Sequence, residues 1–592
     1  MSDSPRILRS HLGSDKTRGP MSLERYLYLS DPYRSTTVLN PLPYSLSKKP
    51  VTGKPAEDIS RFYQPIATLL DSYGFFHDQY SIGVFEVTKP GYPDGERPIN
   101  ILQVKYWVDA LIPCDLANAP DRICGLLAEE GINIDIEIVN SYDCIYPQLF
   151  AIMPDHPTVG PFEQAREQLI DILNGKLPER WHSLCLFKVD FFPGEASSDL
   201  TSVARSMQPG KDNESMPPVP QLHNMDGIGR LQRGMSISPK GQDSVGNTMG
   251  GFVTITREGI THKGFLTTYD AVRPSLPTVT ETDRKVISID HPNCLNIEVI
   301  YPAPRDTKAT KEEAQKVLED TKTSLDELTE RKKNYELVGK LLKIKELGYL
   351  KYVEKEYKYN LTALQAVQGM PTKIGKVTFA SGLGFNETAL LNWAFVEITE
   401  PDALKFFRRD WMLDVPYNQR PYNQHPYIDG PKPVKFDYPR QRLTGIGELE
   451  KGEYYVMVSR SSVIQVGICN GIKASCVWRK NDIRYDKNGN AVDAAKITDE
   501  YVVVGERSIA GKTRSVPFCC PGDSGAFLIN TKAEVCGLLY GYINSHWPEP
   551  DWFVNVGLAT CMADIRMSIQ ALATPHDAQG NPAEVPAELD LP

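Results

Sequence analysis

Apolar residues recur along this chain in changing rhythms, and each change of rhythm marks a boundary. Between residues 57 and 75, Ile59, Phe62, Tyr63, Ile66, Leu69 and Leu70 fall on one face at helical spacing, with Pro65 at the start or kink of that helix. Apolar, β-rich runs follow at Ile82–Val87, Ile99–Val108, Ile132–Val139 and Leu184–Phe192, separated by helical patterns near Asp115–Gly131 and Pro161–Gly175. The alternation predicts an α+β domain over 56–193, behind a polar N-terminal arm over 1–55. From 194 to 245 the chain turns rich in Ser, Pro, Gly, Asn and Asp, which predicts a flexible linker.

Beyond the linker the rhythm shortens. Strand-like runs recur at Gly251–Thr256, Gly264–Thr268, Asn296–Tyr301, Lys376–Ala380, Trp393–Ile398, Tyr454–Val458, Val463–Ile468, Tyr501–Val504, Gly525–Ile529, Cys536–Tyr542 and Phe553–Leu558, the pattern of an antiparallel barrel or sandwich. One segment breaks it. From Lys308 to about Leu347 the stripe Ala314, Leu318, Thr321, Leu325, Leu328, Tyr335 and Leu342 keeps alternating steps of four and three, with Lys332 and Gly339 as flaws. This predicts a long amphipathic helix that folds back through Gly348 into a second, ending near Gly369: a helical hairpin over 308–369 inserted into the first barrel. The hairpin either packs on its own domain or self-associates as an intermolecular coiled coil. Residues 400–442, heavy in Pro, Tyr and Arg, read as a crossover between two halves, and 574–592 as a disordered tail.

At 592 residues the chain exceeds what one core can hold, so several domains are expected. Lys and Arg total 65 against 75 Asp and Glu, a net charge of -10 that argues against a nucleic-acid or anionic-membrane partner while leaving room for a local basic patch. The N-terminus lacks the apolar core of a secretory signal, and no apolar run reaches about 18 residues, which favours an intracellular, cytoplasmic protein. Eleven cysteines without a zinc-type pair read as reduced core thiols. Adjacent Cys519 and Cys520 are the unusual pair, with a redox role as the lesser reading. No residue pattern calls for a metal or cofactor.

The sharpest local signal is Pro521-Gly522-Asp523-Ser524-Gly525, ahead of the apolar strand Ala526–Ile529. A glycine-flanked serine in a tight turn can present its hydroxyl beside the N–H groups of Gly522 and Ser524, as an oxyanion hole requires. Gly537-Leu538-Leu539-Tyr540-Gly541 follows as the strand that would line a peptide cleft, and Met562–Leu572 reads as a closing helix. With Gly246-Asn247-Thr248-Met249-Gly250-Gly251-Phe252-Val253 at the first strand, and Ser459-Arg460-Ser461-Ser462 with Gly467 opening a second barrel, residues 225–575 resemble the chymotrypsin-like serine proteases. They more closely resemble an intracellular fungal group whose trypsin-like domain follows an unrelated N-terminal region.

That resemblance implies an all-β double barrel over 246–573, and it says where a catalytic histidine and aspartate would stand. The family's histidine closes a strand that here reads Phe265-Leu266-Thr267-Thr268-Tyr269-Asp270-Ala271-Val272, so Asp270 occupies its place. The family's aspartate opens a strand that here reads Leu391-Asn392-Trp393-Ala394, so Asn392 occupies that one. An aspartate, with a reference pKa near ~3.9 against about 6.5 for histidine, is a poor general base near neutrality. Loss of the histidine alone in another serine protease lowers turnover by about 10⁶-fold. Of ten histidines, His262, His291, His425 and His546 are candidates for rescue, but His262 sits a strand's length before Asp270. Phe518, six residues before Ser524, would stand at the base of the primary pocket, leaving it apolar. Tyr542 falls where the cleft strand is often glycine and either obstructs it or is a surface aromatic.

The expectation is therefore a catalytically inactive serine-protease homologue, with an N-terminal α+β domain and a hairpin-bearing double β-barrel, acting by binding a protein or peptide partner. In that case Ser524 persists because its turn stabilises the barrel. The alternative is an active hydrolase in which Ser524 works with a non-standard base.

Overall fold

The computed structural model describes residues 34–38, 47–51, 59–73, 75, 80–88, 97–106, 118–140, 144–176, 182–194, 231–243, 246–273, 286–290, 296–370, 372–386, 389–413, 427–428, 434–436, 441–478, 496–509, 512–543, 556–576 and 582–592. The chain divides into two compact units: Met1–Leu149 with Val189–Gln208 and Ser545–Phe553, and Phe150–Lys188 with Pro209–Asn544 and Val554–Pro592. No helix among the described residues is long and apolar enough to cross a membrane.

In the first unit, β1 (Arg34–Thr36), β2 (Ser47–Pro50), α1 (Tyr63–Asp71), β3 (Tyr80–Thr88), β4 (Ile99–Tyr106), α2 (Ala119–Ala128) and β5 (Asp135–Asn140) build a sheet of order β1-β5-β4-β3-β2. Only β4 and β5 run parallel, because α2 carries the chain back between them. Ile66 and Leu70 of α1 and Ile123 and Leu127 of α2 pack with Leu102, Val104, Ile136 and Ile138 of the sheet. Buried Arg34 bridges Glu137 at 2.6 Å, and Gln103 Nε2 donates to the other oxygen of that carboxylate at 2.6 Å. The sheet thus draws β1 and β2 from the stretch expected to be an arm, since their backbones satisfy edge strands. β6 (Cys144–Phe150) pairs with β8 (Lys188–Gly194).

Residues 150–188 depart from the expected 56–193 domain, for they belong by contact to the second unit. α3 (Val159–Lys176) and β7 (His182–Leu184) dock there: Arg166 Nε donates to Ser475 Oγ at 2.5 Å and pairs with Asp499, and Gly471 N–H donates to Ile152 O at 2.7 Å.

The rest of the second unit is two rounds of strands, antiparallel but for one short parallel pairing of 445–446 with 534–535. The first holds β9 (Ser236–Pro239), β10 (Asn247–Thr248), β11 (Gly251–Arg257), β12 (Ile260–Thr267), α4 (Tyr269–Val272) and β13 (Glu298–Tyr301). It continues with α5 (Pro304–Leu337), α6 (Ile344–Gln368), β14 (Thr372–Ala380), the hairpin β15 (Gly384–Phe385) and β16 (Leu390–Leu391), β17 (Ala394–Ile398) and α7 (Pro401–Leu404). Its order is β10-β9-β13-β14-β17-β12-β11, and a strand from the C-terminal end of the chain adds to β11. β9 lies inside the stretch expected to be linker, with Ile237 and Ser238 fully buried. Residues 195–230 and 244–245 of that linker lie outside the described residues.

The second round holds β18 (Tyr427–Ile428) paired with β19 (Val434–Lys435), β20 (Gly445–Ile446), β21 (Tyr454–Ser459), β22 (Val463–Cys469), β23 (Ala474–Trp478), β24 (Lys496–Ile509) and β25 (Lys512–Val516). β26 (Phe527–Ile529), β27 (Glu534–Ile543), β28 (Val556–Cys561) and α8 (Met562–Ala573) complete it, and a last strand, β29 (Glu588–Asp590), returns to the first sheet. The pairings β21-β22-β24-β28-β27-β26 and back to β21 form a closed six-stranded ring. Its strands are buried on both faces, and alternate residues go to different clusters: Tyr455, Met457, Leu528, Leu539 and Ala559 to one, Val456, Val458, Phe527 and Ile529 to another. The second cluster joins the two rounds, from Ile255, Trp393 and Phe395 to Val456, Phe527 and Leu538, with Ile565 and Ile569 of α8.

The expected disordered tail is instead structural. β29 pairs with β11, and Leu589 and Leu591 are 2% and 4% exposed in the shared core. The hairpin forms, but its turn falls at 338–343 rather than at Gly348, which lies inside α6. Gly339, at φ 69°, accommodates a left-handed helix stop, with Lys340 N–H donating to Tyr335 O and Gly339 N–H to Glu336 O. The apparent flaw in the stripe is the turn itself.

Candidate active site at the Ser524 turn

The serine turn lies between β25 and β26 and is built on two left-handed glycines, Gly522 at φ 94° and Gly525 at φ 102°. A Cβ on Gly525 would meet Thr248 O at 2.2 Å and Thr267 Oγ1 at 2.4 Å, so the turn presses against the first round of strands and only glycine fits. Thr248 fastens the same junction: its Oγ1 donates to Gly522 O at 2.7 Å and its N–H to Ser524 O at 3.1 Å.

Asp523 points inward and is fully buried. Its carboxylate accepts the N–H groups of Ser461 at 3.0 Å, Ser462 at 3.1 Å and Cys520 at 2.7 Å, together with the Ser462 hydroxyl. Burial pushes its pKa up, and these donors pull against that push. Arg460, beside Ser461, forms a buried bidentate pair with Asp306 in the first turn of α5 and donates its N–H to Thr248 Oγ1 at 3.0 Å. The root of the hairpin and the serine turn therefore share one polar network. Asp306 and Arg460 are separated by 154 residues, so no spacing pattern announces the pair.

Ser524 is half-buried, and its Oγ donates to Tyr540 O at 3.3 Å, a main-chain carbonyl that cannot serve as a base. The N–H groups of Gly522 and Ser524 donate no hydrogen bond among the described residues. An anionic oxygen placed there would find both donors unspent.

The structure brings Asp270 and Asn392 together. Asp270 N–H donates to Asn392 Oδ1 at 3.0 Å, and Asn392 Nδ2 donates to Asp270 Oδ2 at 2.6 Å. Arg273 Nε stands 3.7 Å from the other carboxylate oxygen. The amide thus accepts from Asp270's backbone and donates to its side chain, so the two residues are bonded to each other twice. Asp270 lies three residues past Thr267, the side chain that touches the serine turn. His262 is at the opposite end of β12, about five residues or ~16 Å from Thr267, and its Nδ1 is 2.9 Å from Glu397 Oε1. His291, His425 and His546 lie outside the described residues.

Phe518 is fully buried, and its ring fills the space left by glycines: a Cβ on Gly467 or Gly557 would meet it at 2.7 Å. Tyr542 packs on the same cluster, its hydroxyl pushed up to about 12 by burial and by neighbouring Cys519 and Cys520. Both cysteines are free and buried, and burial lifts Cys520 to about 12. Tyr540 is buried, 7% exposed, while Gly541 has open space at its Cβ position. A cavity of about 500 Å³ lies elsewhere, against α8, lined by Arg566, Met567, Gln570, Val585 and Glu588.

No family model matches this chain, and no curated protein matches it. Among solved structures, a glutamic-acid-specific serine protease overlaps 57% of this chain and 97% of its own, at 7% identity and a TM-score of 0.25. Protease A of Thermobifida fusca overlaps 57% and 95%, at 8% identity and 0.24. A chymotrypsin of Cellulomonas bogoriensis overlaps 58% and 95%, at 9% identity and 0.23. At TM-scores this low the overlaps carry no weight beside the strand pairings.

Proposed function

We propose that this chain is a serine-protease homologue of chymotrypsin-like, two-barrel form that does not cleave peptides and acts by binding a protein or peptide partner. The Asp270–Asn392 pair carries the reading. A serine nucleophile needs a neighbouring base able to take up its proton near neutral pH; here the base position holds a carboxylic side chain, intrinsically a weak base, already bonded to an amide and flanked by Arg273. The buried Phe518 adds to it, because a partner gains no primary pocket to fill. One observation favours the rival reading of a residual hydrolase: the open donors of Gly522 and Ser524.

Labelling by a fluorophosphonate probe separates the two. The wild type is expected to stay unlabelled, as is Ser524→Ala, whereas the Asp270→His/Asn392→Asp double variant gains labelling. Wild-type labelling that disappears in Ser524→Ala would sink the inactive reading.

A further inference from the structure

The far end of the hairpin does not resemble its stem. Along the stem, Leu318 on α5 and Leu350, Val353, Leu364 and Val367 on α6 are buried in the seam between the helices, and Asn360 Nδ2 donates across it to Thr321 Oγ1 at 3.1 Å. At the tip, Leu337, Val338, Leu341 and Ile344 are 75%, 68%, 85% and 90% exposed. Four neighbouring aliphatic side chains left in water at one convex point are unfavourable for a free surface and mark a contact site.

Charge at the tip is opposite to that of the chain. Residues 331–345 carry Arg331, Lys332, Lys333, Lys340, Lys343 and Lys345 against Glu336 alone, while the chain as a whole is at -10. Glu330 and Glu346 flank this stretch, and Glu336 and Glu346 lie 4.0 Å from Lys332 and 3.7 Å from Arg331, leaving a net positive tip. α5 spans 34 residues, so its tip stands about 50 Å along the axis from its root. That is several times the Debye length of about 8 Å at physiological salt, and the barrels' charge is screened there. Rings follow at a matching depth: Tyr349 and Tyr352, 53% and 58% exposed, stack with centroids 6.3 Å apart. They sit five and eight residues past Ile344, about 7 to 12 Å behind the tip. Exposed aliphatics interleaved with Lys340 and Lys343 at the turn, backed by Arg331, Lys332, Lys333 and the two tyrosines, is the composition of an element seated in a bilayer interface.

We infer that the hairpin tip docks on an anionic phospholipid surface, against the sequence expectation of no membrane partner. The aliphatic side chains enter the acyl boundary and the lysines face the headgroups. A nucleic acid would use the lysines but leave the aliphatics in water, so the joint pattern favours lipid.

The test is co-sedimentation of the full chain with phosphatidylcholine vesicles carrying about a third phosphatidylserine, beside pure phosphatidylcholine. Anionic vesicles should bind at least about tenfold more tightly, with the difference shrinking in high salt. Leu341→Glu/Ile344→Glu and, separately, Lys340→Glu/Lys343→Glu should each lower binding about tenfold or more. All four positions are exposed, so circular dichroism should be unchanged. Absence of binding to anionic vesicles, or equal binding by the Leu341→Glu/Ile344→Glu variant, overturns the inference. So does light scattering that finds a dimer in lipid-free solution and loses it in that variant, since the tip would then serve a second copy.

Discussion

Asp270 and Asn392 are a matched pair, and their match constrains what either can become. An Asn392→Asp substitution would set a second carboxylate where an amide now donates at 2.6 Å, with Arg273 offsetting part of the repulsion. The variant should lose about 1–3 kcal/mol of stability in urea titration, and Asp270→His added to it should recover most of that loss. Both residues were singled out in sequence because each falls at one end of a recognisable strand run. Their reciprocal bond was not, since it joins residues 122 apart. Phe518 shows the same limit: its apolar character was readable, but the fully buried site that encloses it is assembled from Gly467, Gly505 and Gly557 on three separate strands.

At the scale of elements, periodicity marked most strands and both hairpin helices, but it placed the turn wrongly. The stripe stays in phase through Gly339 by coincidence, whereas a left-handed glycine with two closing hydrogen bonds ends the helix. The hairpin root depends on the Asp306–Arg460 pair, whose side chains are 3% and 1% exposed. Asp306→Ala would leave a buried guanidinium without its carboxylate and should cost about 3–5 kcal/mol. Because Arg460 adjoins Ser461 and Ser462, hydrogen exchange at those two amides should quicken as well. Unchanged exchange there would show that root and serine turn are uncoupled.

For the whole molecule, the chain's last described segment belongs to the core. Removing residues 588–592 withdraws Leu589 and Leu591 from the cluster joining the two rounds of strands, and thermal unfolding should report a loss of about 4 kcal/mol or more. The Pro- and Ala-rich composition of 574–592 masked this role, because two well-placed leucines suffice when β11 offers a free edge. The same rule moved residues 150–188 out of the expected N-terminal domain: α3 and β7 follow the open edge of β23 rather than their neighbours in sequence.

Local pattern alone determined the alternating strands, the amphipathic hairpin, the Gly-Asp-Ser-Gly turn and the absence of histidine near Asp270, because each depends on residues within a few positions of one another. Only the tertiary structure decided the closure of the six-stranded ring, the burial of Phe518, the shared network of Asp306, Arg460 and Asp523, and the bare basic tip. Those depend on which distant segments compete for the same backbone edge or the same buried volume, and one-dimensional spacing does not record that competition.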